Sequence, residues 1–104
     1  MRETPRKVEL SRSFNKDFGR ELTGRHANTI AADLDAITSK LAKDEPLPVA
    51  NKDHPLTGPW AGYRDCHVHP NLVLIYAKPV DKAKGNKDLD TLVLVRMDTH
   101  SNLF

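Results

Sequence analysis

The hydrophobic period of this chain changes at Pro46 and Pro48, and this change limits the folds that the chain can adopt. Before the prolines, apolar residues recur every three or four positions, which is the spacing of one face of an α-helix. Two such stripes occur, one formed by Phe14, Phe18 and Leu22 and the other by Ile30, Leu34, Ile37 and Leu41. The first predicts a helix capped by Ser11 or Ser13 and ended by Thr23-Gly24. The second predicts a helix from about Ala27 to Ala42, since the two prolines cannot continue it.

Beyond Pro48 the apolar residues occur in short runs rich in β-branched side chains, which is typical of strands. The predicted strands are Tyr63–Val68, Leu72–Tyr76 and Thr91–Met97, with a short one at Arg6–Leu10. Asn51–Gly62, with its prolines and glycines, is predicted to be a loop. These elements predict an α+β fold in which a small antiparallel-rich sheet is covered on one face by an N-terminal helical hairpin with a tight turn.

The chain is long enough for a single domain over residues 1–104 and too short for two cores. Its one cysteine, Cys66, excludes an internal disulfide and a cysteine-only metal cluster, and it fits a reducing cytoplasm. The longest apolar run, Leu72–Ala77, is too short to cross a membrane, and residues 1–5 carry no apolar signal core. We therefore expect a cytoplasmic protein with no membrane partner.

Charge is distributed unevenly along a chain whose net charge is +2. Residues 1–26 carry seven Lys or Arg against four acids, whereas residues 27–45 carry two against four. A further basic segment follows the second long strand and contains Lys78, Lys82, Lys84 and Lys87. This balance permits a polyanionic partner without requiring one, and the basic segment is either a solvated loop or a contact to rRNA phosphates.

Histidine is the side chain best suited to proton transfer near neutral pH, and four of the five histidines follow residue 50. These four are His54, His67, His69 and His100. A zinc site that combines Cys66 with His54, His67 and His69 is one alternative. In a regular strand, however, His67 and His69 share one face while Cys66 points to the other, and no structural zinc-site spacing occurs. We predict neither a metal nor another cofactor.

Two segments carry a more specific pattern. Residues 52–68 contain the pattern DHxLxGxWxGxRDxH, and residues 96–104 close the chain as Arg-Met-Asp-Thr-His-Ser-Asn-Leu-Phe. Together with the strand Leu72–Tyr76 between them, they resemble the signature of YafQ-type toxins of the RelE/ParE superfamily, which come from bacterial type II toxin–antitoxin modules. With the helical hairpin included, the resemblance covers nearly the whole chain.

The resemblance implies a RelE-like fold and a ribosome-dependent endoribonuclease that cuts mRNA in the A site without a metal. In such a reaction the ribose 2′-oxygen attacks the adjacent phosphate and the 5′-oxygen leaves, which requires a base, an acid and positive charge. The implied partners are a cognate antitoxin protein, the ribosome with its mRNA, and operator DNA through the antitoxin complex.

Residue roles follow from the same resemblance, position by position. The catalytic positions fall on His54, His67 and His100. Substrate-binding positions fall on Arg96, Phe104, Asn71 and Lys52, with Arg96 contacting phosphate and Phe104 positioning nucleotides. Asn71 and Leu72 depart from the pattern, because the family often has Asp followed by Trp here, and an amide cannot act as a base. His69 matches no family role.

Structural alternatives exist for several of these residues. His54 could pack on Trp60 in its loop, and His100 could lie in a C-terminal tail without fixed structure. Arg96 could pair with a carboxylate such as Asp98 or Asp65. Arg64 is expected to form a salt bridge with Asp53 or Asp65 rather than to act in catalysis.

Two other functions also remain open. One is a non-catalytic, ParE-like toxin that inhibits a protein target such as DNA gyrase, although binding alone does not require clustered histidines. The other is a degenerate toxin that only binds its antitoxin and operator DNA, an alternative that the change at Asn71 leaves open.

Overall fold

A computed structural model describes residues 2–79 and 90–104, which leaves the predicted contacts of Lys82, Lys84 and Lys87 outside the described residues. This part of the chain forms five strands and three α-helices. They are β1 (Lys7–Leu10), α1 (Arg12–Glu21), α2 (Ile30–Ala42), β2 (His54–Pro55), β3 (Arg64–His69), β4 (Leu72–Ala77), β5 (Thr91–Asp98) and α3 (His100–Leu103). None of these helices is long and apolar enough to cross a membrane.

The strands form one sheet in the order β1-β5-β4-β3-β2. The pairs β2–β3, β3–β4 and β4–β5 are antiparallel, which confirms the antiparallel-rich α+β fold. The pair β1–β5 is parallel, with Lys7 opposite Thr91, so the sheet is mixed. The predicted loop at Asn51–Gly62 contributes the two-residue edge strand β2, which pairs His54 with Asp65.

Both helices pack on one face of the sheet, through the whole predicted stripe of α2 but only part of the α1 stripe, because Leu22 lies beyond the end of α1 and is exposed. Phe14 of α1 is buried, and so is the α2 stripe of Ile30, Leu34, Ile37 and Leu41. The sheet side of the same core is formed by side chains from β3, β4 and β5, namely Cys66, Val68, Leu72, Leu74, Tyr76, Leu92, Leu94 and Met97. Burial of such side chains stabilises the fold by about 1.5–3 kcal/mol each.

The connection between the helices differs from the prediction. Ser11 caps α1 as expected, since its Oγ accepts the backbone N–H of Phe14 at 2.9 Å. However, α2 begins at Ile30 rather than near Ala27, and residues 22–29 form a series of turns. In this segment Ala27 N–H donates to Gly24 and Thr29 N–H donates to His26, three residues back rather than four. These tight turns replace the first predicted turn of the helix and project residues 22–29 beyond the end of the sheet.

The free edge of β5 is closed by side chains of α1 and its cap. The β1–β5 ladder ends at Leu10 and Leu94. Beyond it, the Ser11 hydroxyl donates to the Val95 carbonyl at 2.6 Å. The Asp17 carboxylate then accepts the Met97 N–H at 2.9 Å, and Arg20 donates to the Met97 carbonyl at 2.8 Å. Helix α1 therefore fixes the end of β5 and the segment that follows it.

A bulge in β3 separates two histidines that a regular strand would place together. His67 lies opposite Val73 while His69 lies opposite Leu72, so the register shifts between them. Leu72 belongs to the core beneath the helices, whereas His67 follows Asp65 on the opposite face, called here the second face. The prediction that His67 and His69 share a face is therefore wrong, because the extra residue of the bulge reverses the alternation.

Candidate active site

A buried carboxylate, Asp65, lies at the centre of the second face of the sheet. Only 2% of Asp65 is exposed, and the residue is paired in register with Ile75 of β4. Burial raises the pKa of the Asp65 carboxyl, and the charges of His54, His67 and His100 lower it by a smaller amount. Of the three predicted catalytic histidines, His54 lies in contact with Asp65, and the charges of His67 and His100 also act on this carboxyl group. Sequence reasoning missed this role of Asp65, although the alternation of β3 places Asp65 beside His67.

His54 approaches Asp65 from the neighbouring edge strand. Its Nδ1 lies 3.1 Å from the Oδ1 of Asp65 and 2.6 Å from the carbonyl oxygen of Lys52. A carbonyl oxygen can only accept, so Nδ1 carries the proton that is donated to Lys52. In the neutral ring Nε2 then has a free lone pair, and half of the side chain is exposed to a substrate. His54 can therefore accept a proton at Nε2.

The segment that carries His54 is fixed from the helix side of the sheet. Asp53 accepts hydrogen bonds from the hydroxyl of buried Tyr76 at 2.5 Å and from Arg64 at 3.3 Å. Asn51 donates to the backbone carbonyl of His67 at 2.7 Å. Of the two predicted partners of Arg64, the structure therefore selects Asp53. These bonds keep the strand β2 against β3, so His54 stays beside Asp65.

His67 and Lys52 line one side of the site. Both contribute to the wall of a cavity of about 290 Å³ that extends to Pro70. His67 is partly exposed, as expected for a strand residue on an uncovered face. An imidazole and an ammonium on one cavity wall can contact a phosphate together when both are protonated.

His100 occupies the first position of α3, and this short helix is well anchored. Thr99 caps α3, and Asp98 Oδ1 accepts the Thr99 N–H at 2.7 Å and the Asn102 side-chain amide at 3.1 Å. The His100 and Phe104 rings lie with centroids 4.8 Å apart. These contacts argue against a tail without fixed structure, and they hold Phe104, which is half exposed, beside a predicted catalytic ring.

Asn71 lines a different cavity from the one that His67 and Lys52 line. Asn71 and His100 both line a larger cleft of about 530 Å³ at the end of the sheet. The structure places Asn71 in the turn between β3 and β4, exposed to solvent. The predicted site residues thus line two cavities, with Lys52 and His67 at the smaller one and His100 and Asn71 at the larger one.

Arg96 has a different environment from the one predicted. It does not end β5, which continues to Asp98. Its Nε donates to Asp17 Oδ2 at 2.7 Å, and its Nη2 lies 3.7 Å from Asp98. The principal partner is thus a helix carboxylate that the sequence analysis did not consider. The guanidinium is committed to a structural ion pair, which disfavours Arg96 as the phosphate contact.

Asp17 is held in its ionised form by this arrangement. Burial raises the pKa of its carboxyl, but hydrogen bonds from Arg96, from the Met97 N–H and from Arg20 outweigh burial and lower the pKa. The sequence signal for Asp17 is its spacing, since it lies between Phe14 and Phe18 on the buried side of α1. Because Arg96 and Arg20 also face Asp98, the network connects α1 with the cap of α3.

No group of three or more His, Cys, Asp or Glu side chains in residues 2–79 and 90–104 is arranged to hold a metal ion. The alternative zinc site is separated by the sheet, because His69 lies on the helix side and its Nε2 is 3.0 Å from Asp33 of α2. What the second face offers instead is proton-transfer chemistry, with three imidazoles near a buried anion and Lys52 nearby.

Comparisons with known proteins agree with this fold. The model of the family described as bacterial toxin of type II toxin–antitoxin system, YafQ, matches residues 6–104. The mRNA interferase toxin YafQ of Escherichia coli K12 is 36% identical over 99 residues, which cover 95% of this chain and 96% of that protein.

Two crystal structures give the same result. YafQ from Escherichia coli BL21(DE3) superposes with a TM-score of 0.75 at 35% identity, over 95% of this chain and 98% of that one. In the Escherichia coli DinJ–YafQ toxin–antitoxin complex, the matched chain gives a TM-score of 0.74 at 36% identity, over 96% and 98% of the two chains. By these matches, the chain belongs to the YafQ family of bacterial toxins from type II toxin–antitoxin systems.

Proposed function

We propose that this toxin is an mRNA interferase, an endoribonuclease that cuts mRNA in the ribosomal A site. The observation that supports the proposal best is the contact of His54 with the buried Asp65 carboxylate, 3.1 Å from Nδ1 to Oδ1, on the sheet face that also carries His67. Clustered imidazoles at a partly exposed surface suit general acid–base catalysis near neutral pH. A surface that only blocks a protein target does not require them.

The proposed reaction uses the substrate's own nucleophile. His54 Nε2 removes the proton from the ribose 2′-hydroxyl, because Nδ1 is occupied by the Lys52 carbonyl. The 2′-oxygen forms a bond to phosphorus while the bond from phosphorus to the 5′-oxygen breaks. Protonated His100 gives its proton to that oxygen, which leaves a 2′,3′-cyclic phosphate and a 5′-hydroxyl. His67 and Lys52 balance the negative charge of the phosphorane.

The partners of the toxin belong to the same proposal. The DinJ–YafQ complex supports an antitoxin as the protein partner of this chain. We expect the antitoxin complex, rather than the toxin alone, to bind operator DNA. The ribosome presents mRNA to the two cavities that Lys52, His67, His100 and Asn71 line.

Cleavage on programmed ribosomes tests the proposal. We expect His54→Ala, His67→Ala and His100→Ala each to lower the single-turnover rate by about 10²–10⁴-fold, the usual contribution of an acid or base. Asn15→Ala, an exposed change on α1, is the matched control and should cleave at the wild-type rate. Wild-type rates in all three histidine variants would refute the catalytic assignment.

Induction of the toxin in cells separates the two other functions. The proposed enzyme arrests translation and fragments mRNA while DNA supercoiling is unchanged. A gyrase inhibitor would change supercoiling and leave mRNA intact. A degenerate toxin would do neither while still binding antitoxin.

A further inference from the structure

A cleft beside the site has one wall that the proposed reaction does not use. This cleft of about 530 Å³ lies between the turns of residues 22–29, the β3–β4 turn and the start of α3. Its volume is within the range of about 300–1,000 Å³ that is usual for small-molecule sites. His100 and Asn71 form one side, and Arg25 and His26 form the other. The cleft therefore begins at a proposed catalytic residue and extends away from Asp65.

Arg25 supplies positive charge to this cleft. Its side chain is exposed, and it forms no ion pair with any residue in the described ranges. The acidic residue on the rim, Glu21, already accepts a hydrogen bond from Arg20 at 3.0 Å. A guanidinium that forms no ion pair within the described residues is suited to a phosphate group, which it can bind with two parallel hydrogen bonds.

His26 is held rigidly on the same wall. Its ring stacks on the ring of His69, with centroids 3.9 Å apart and planes 11° from parallel. His69 does not line the cleft, and its Nε2 lies 3.0 Å from Asp33 Oδ2 without the geometry of a hydrogen bond. One face of His26 is thus covered, and the rest of the ring is available to the cleft. Fixed aromatic rings of this kind are the surfaces on which unpaired RNA bases stack.

We propose that this cleft binds the nucleotide next to the cleaved bond, with Arg25 on a backbone phosphate and His26 against the base. The proposal rests on the proposed ribonuclease function, since His100 connects the cleft to the reacting phosphate. It assigns specificity to the turn between α1 and α2. His69 and Asp33 act as positioning residues, because they orient His26 without reaching the cleft.

The test measures single-turnover cleavage on ribosomes programmed with messages whose A-site codons differ at one position. We expect Arg25→Gln to lower the rate about tenfold, the usual effect of losing one charged hydrogen bond. The same variant should reduce the slope of log affinity against log salt by about 0.7, since one RNA phosphate contact is lost. Arg12→Gln removes the same charge from the first residue of α1 and should leave codon preference unchanged.

His26 is tested by a pair of variants. His26→Ala should change the relative rates among the codons, whereas His26→Phe keeps an aromatic ring and should retain the wild-type order. Thermal unfolding of each variant checks the fold, and the exposed Arg25 keeps the test decisive if His26→Ala does not fold.

Three results have different meanings. No cleavage by the wild-type toxin would overturn the proposed function itself. Cleavage by the wild type with unchanged rates and codon preference in Arg25→Gln and His26→Ala would overturn the nucleotide site alone. Weaker binding of the antitoxin to Arg25→Gln, with cleavage unchanged, would assign the cleft to the antitoxin and equally overturn the proposal.

Discussion

Replacement of Asp65 by Asn should make the toxin more stable and less active. The change keeps the shape of a side chain that is 2% exposed and removes its charge. Burial raises the pKa of the Asp65 carboxyl above its ordinary value of 3.8, so the ionised form costs free energy in the folded state. The ionised carboxylate therefore destabilises the fold at neutral pH, and Asp65→Asn removes this destabilisation.

The two effects can be estimated from the structure. Protonated His54 at 3.1 Å from Asp65 would interact by about 5 kcal/mol at an effective dielectric constant of 20. Because half of the His54 side chain is exposed, solvent screening reduces this to about 1–2 kcal/mol. Loss of that interaction corresponds to roughly a tenfold lower cleavage rate. The relieved burial should raise the free energy of unfolding by about 1 kcal/mol.

The sign of the pH dependence gives a further check. The folded state binds more protons than the unfolded state just above pH 3.8, so the Asp65 contribution to stability falls as pH rises through that window. The stability gain of Asp65→Asn should therefore be largest at neutral pH and shrink toward pH 4. Urea unfolding at several pH values, with single-turnover cleavage at pH 7, measures both effects. A variant that is less stable than the wild type, or equally active, would refute the role given to Asp65.

Three other predictions concern the ion pairs and the turn. Asp17→Asn should lower the free energy of unfolding by about 3 kcal/mol, because Arg96 and Arg20 lose the buried carboxylate that accepts their hydrogen bonds; an unchanged urea midpoint would contradict it. Asp44, whose pKa is lowered to about 2 mainly by the hydrogen bond from Arg6, should stabilise the fold above pH 3.8 and lose this effect as pH falls to about 2. Because Asp44 is partly exposed, Asp44→Asn should lower the free energy of unfolding by about 1–2 kcal/mol at pH 7. The variant should also lose less stability than the wild type as pH falls, and an unchanged dependence of stability on pH would count against this. Asn71→Asp should change the pH–rate profile on programmed ribosomes, and superimposable profiles would make position 71 a turn residue only.

The sequence predicted the elements of the fold because local periodicity determines them. The stripe at Ile30, Leu34, Ile37 and Leu41 is buried as a unit, and each long strand lies where β-branched residues cluster. Local periodicity carries no information about which strands pair. The parallel β1–β5 contact joins segments more than 80 residues apart, and no local pattern specifies it.

The candidate site was predictable in its histidines and not in its carboxylates. The pattern around His54 and His67 identified these rings, and the structure brings them to Asp65. The partner of Arg96 lies 79 positions away on α1, so no motif could indicate Asp17. A single bulge in β3 moved His69 to the other side of the sheet, because alternation holds only for a regular strand.

The parallel pairing of β1 with β5 has a consequence for how the toxin is made. Within the described sheet, β5 is the last strand to be synthesised, yet it is the central partner of both β1 and β4. Until β5 has been synthesised, β1 therefore has no strand to pair with, and the hydrogen bond between Asp17 and the Met97 N–H cannot form. Contacts of such large sequence separation close late in folding. The position of His100, which follows β5, is therefore fixed only after β5 has paired with both β1 and β4.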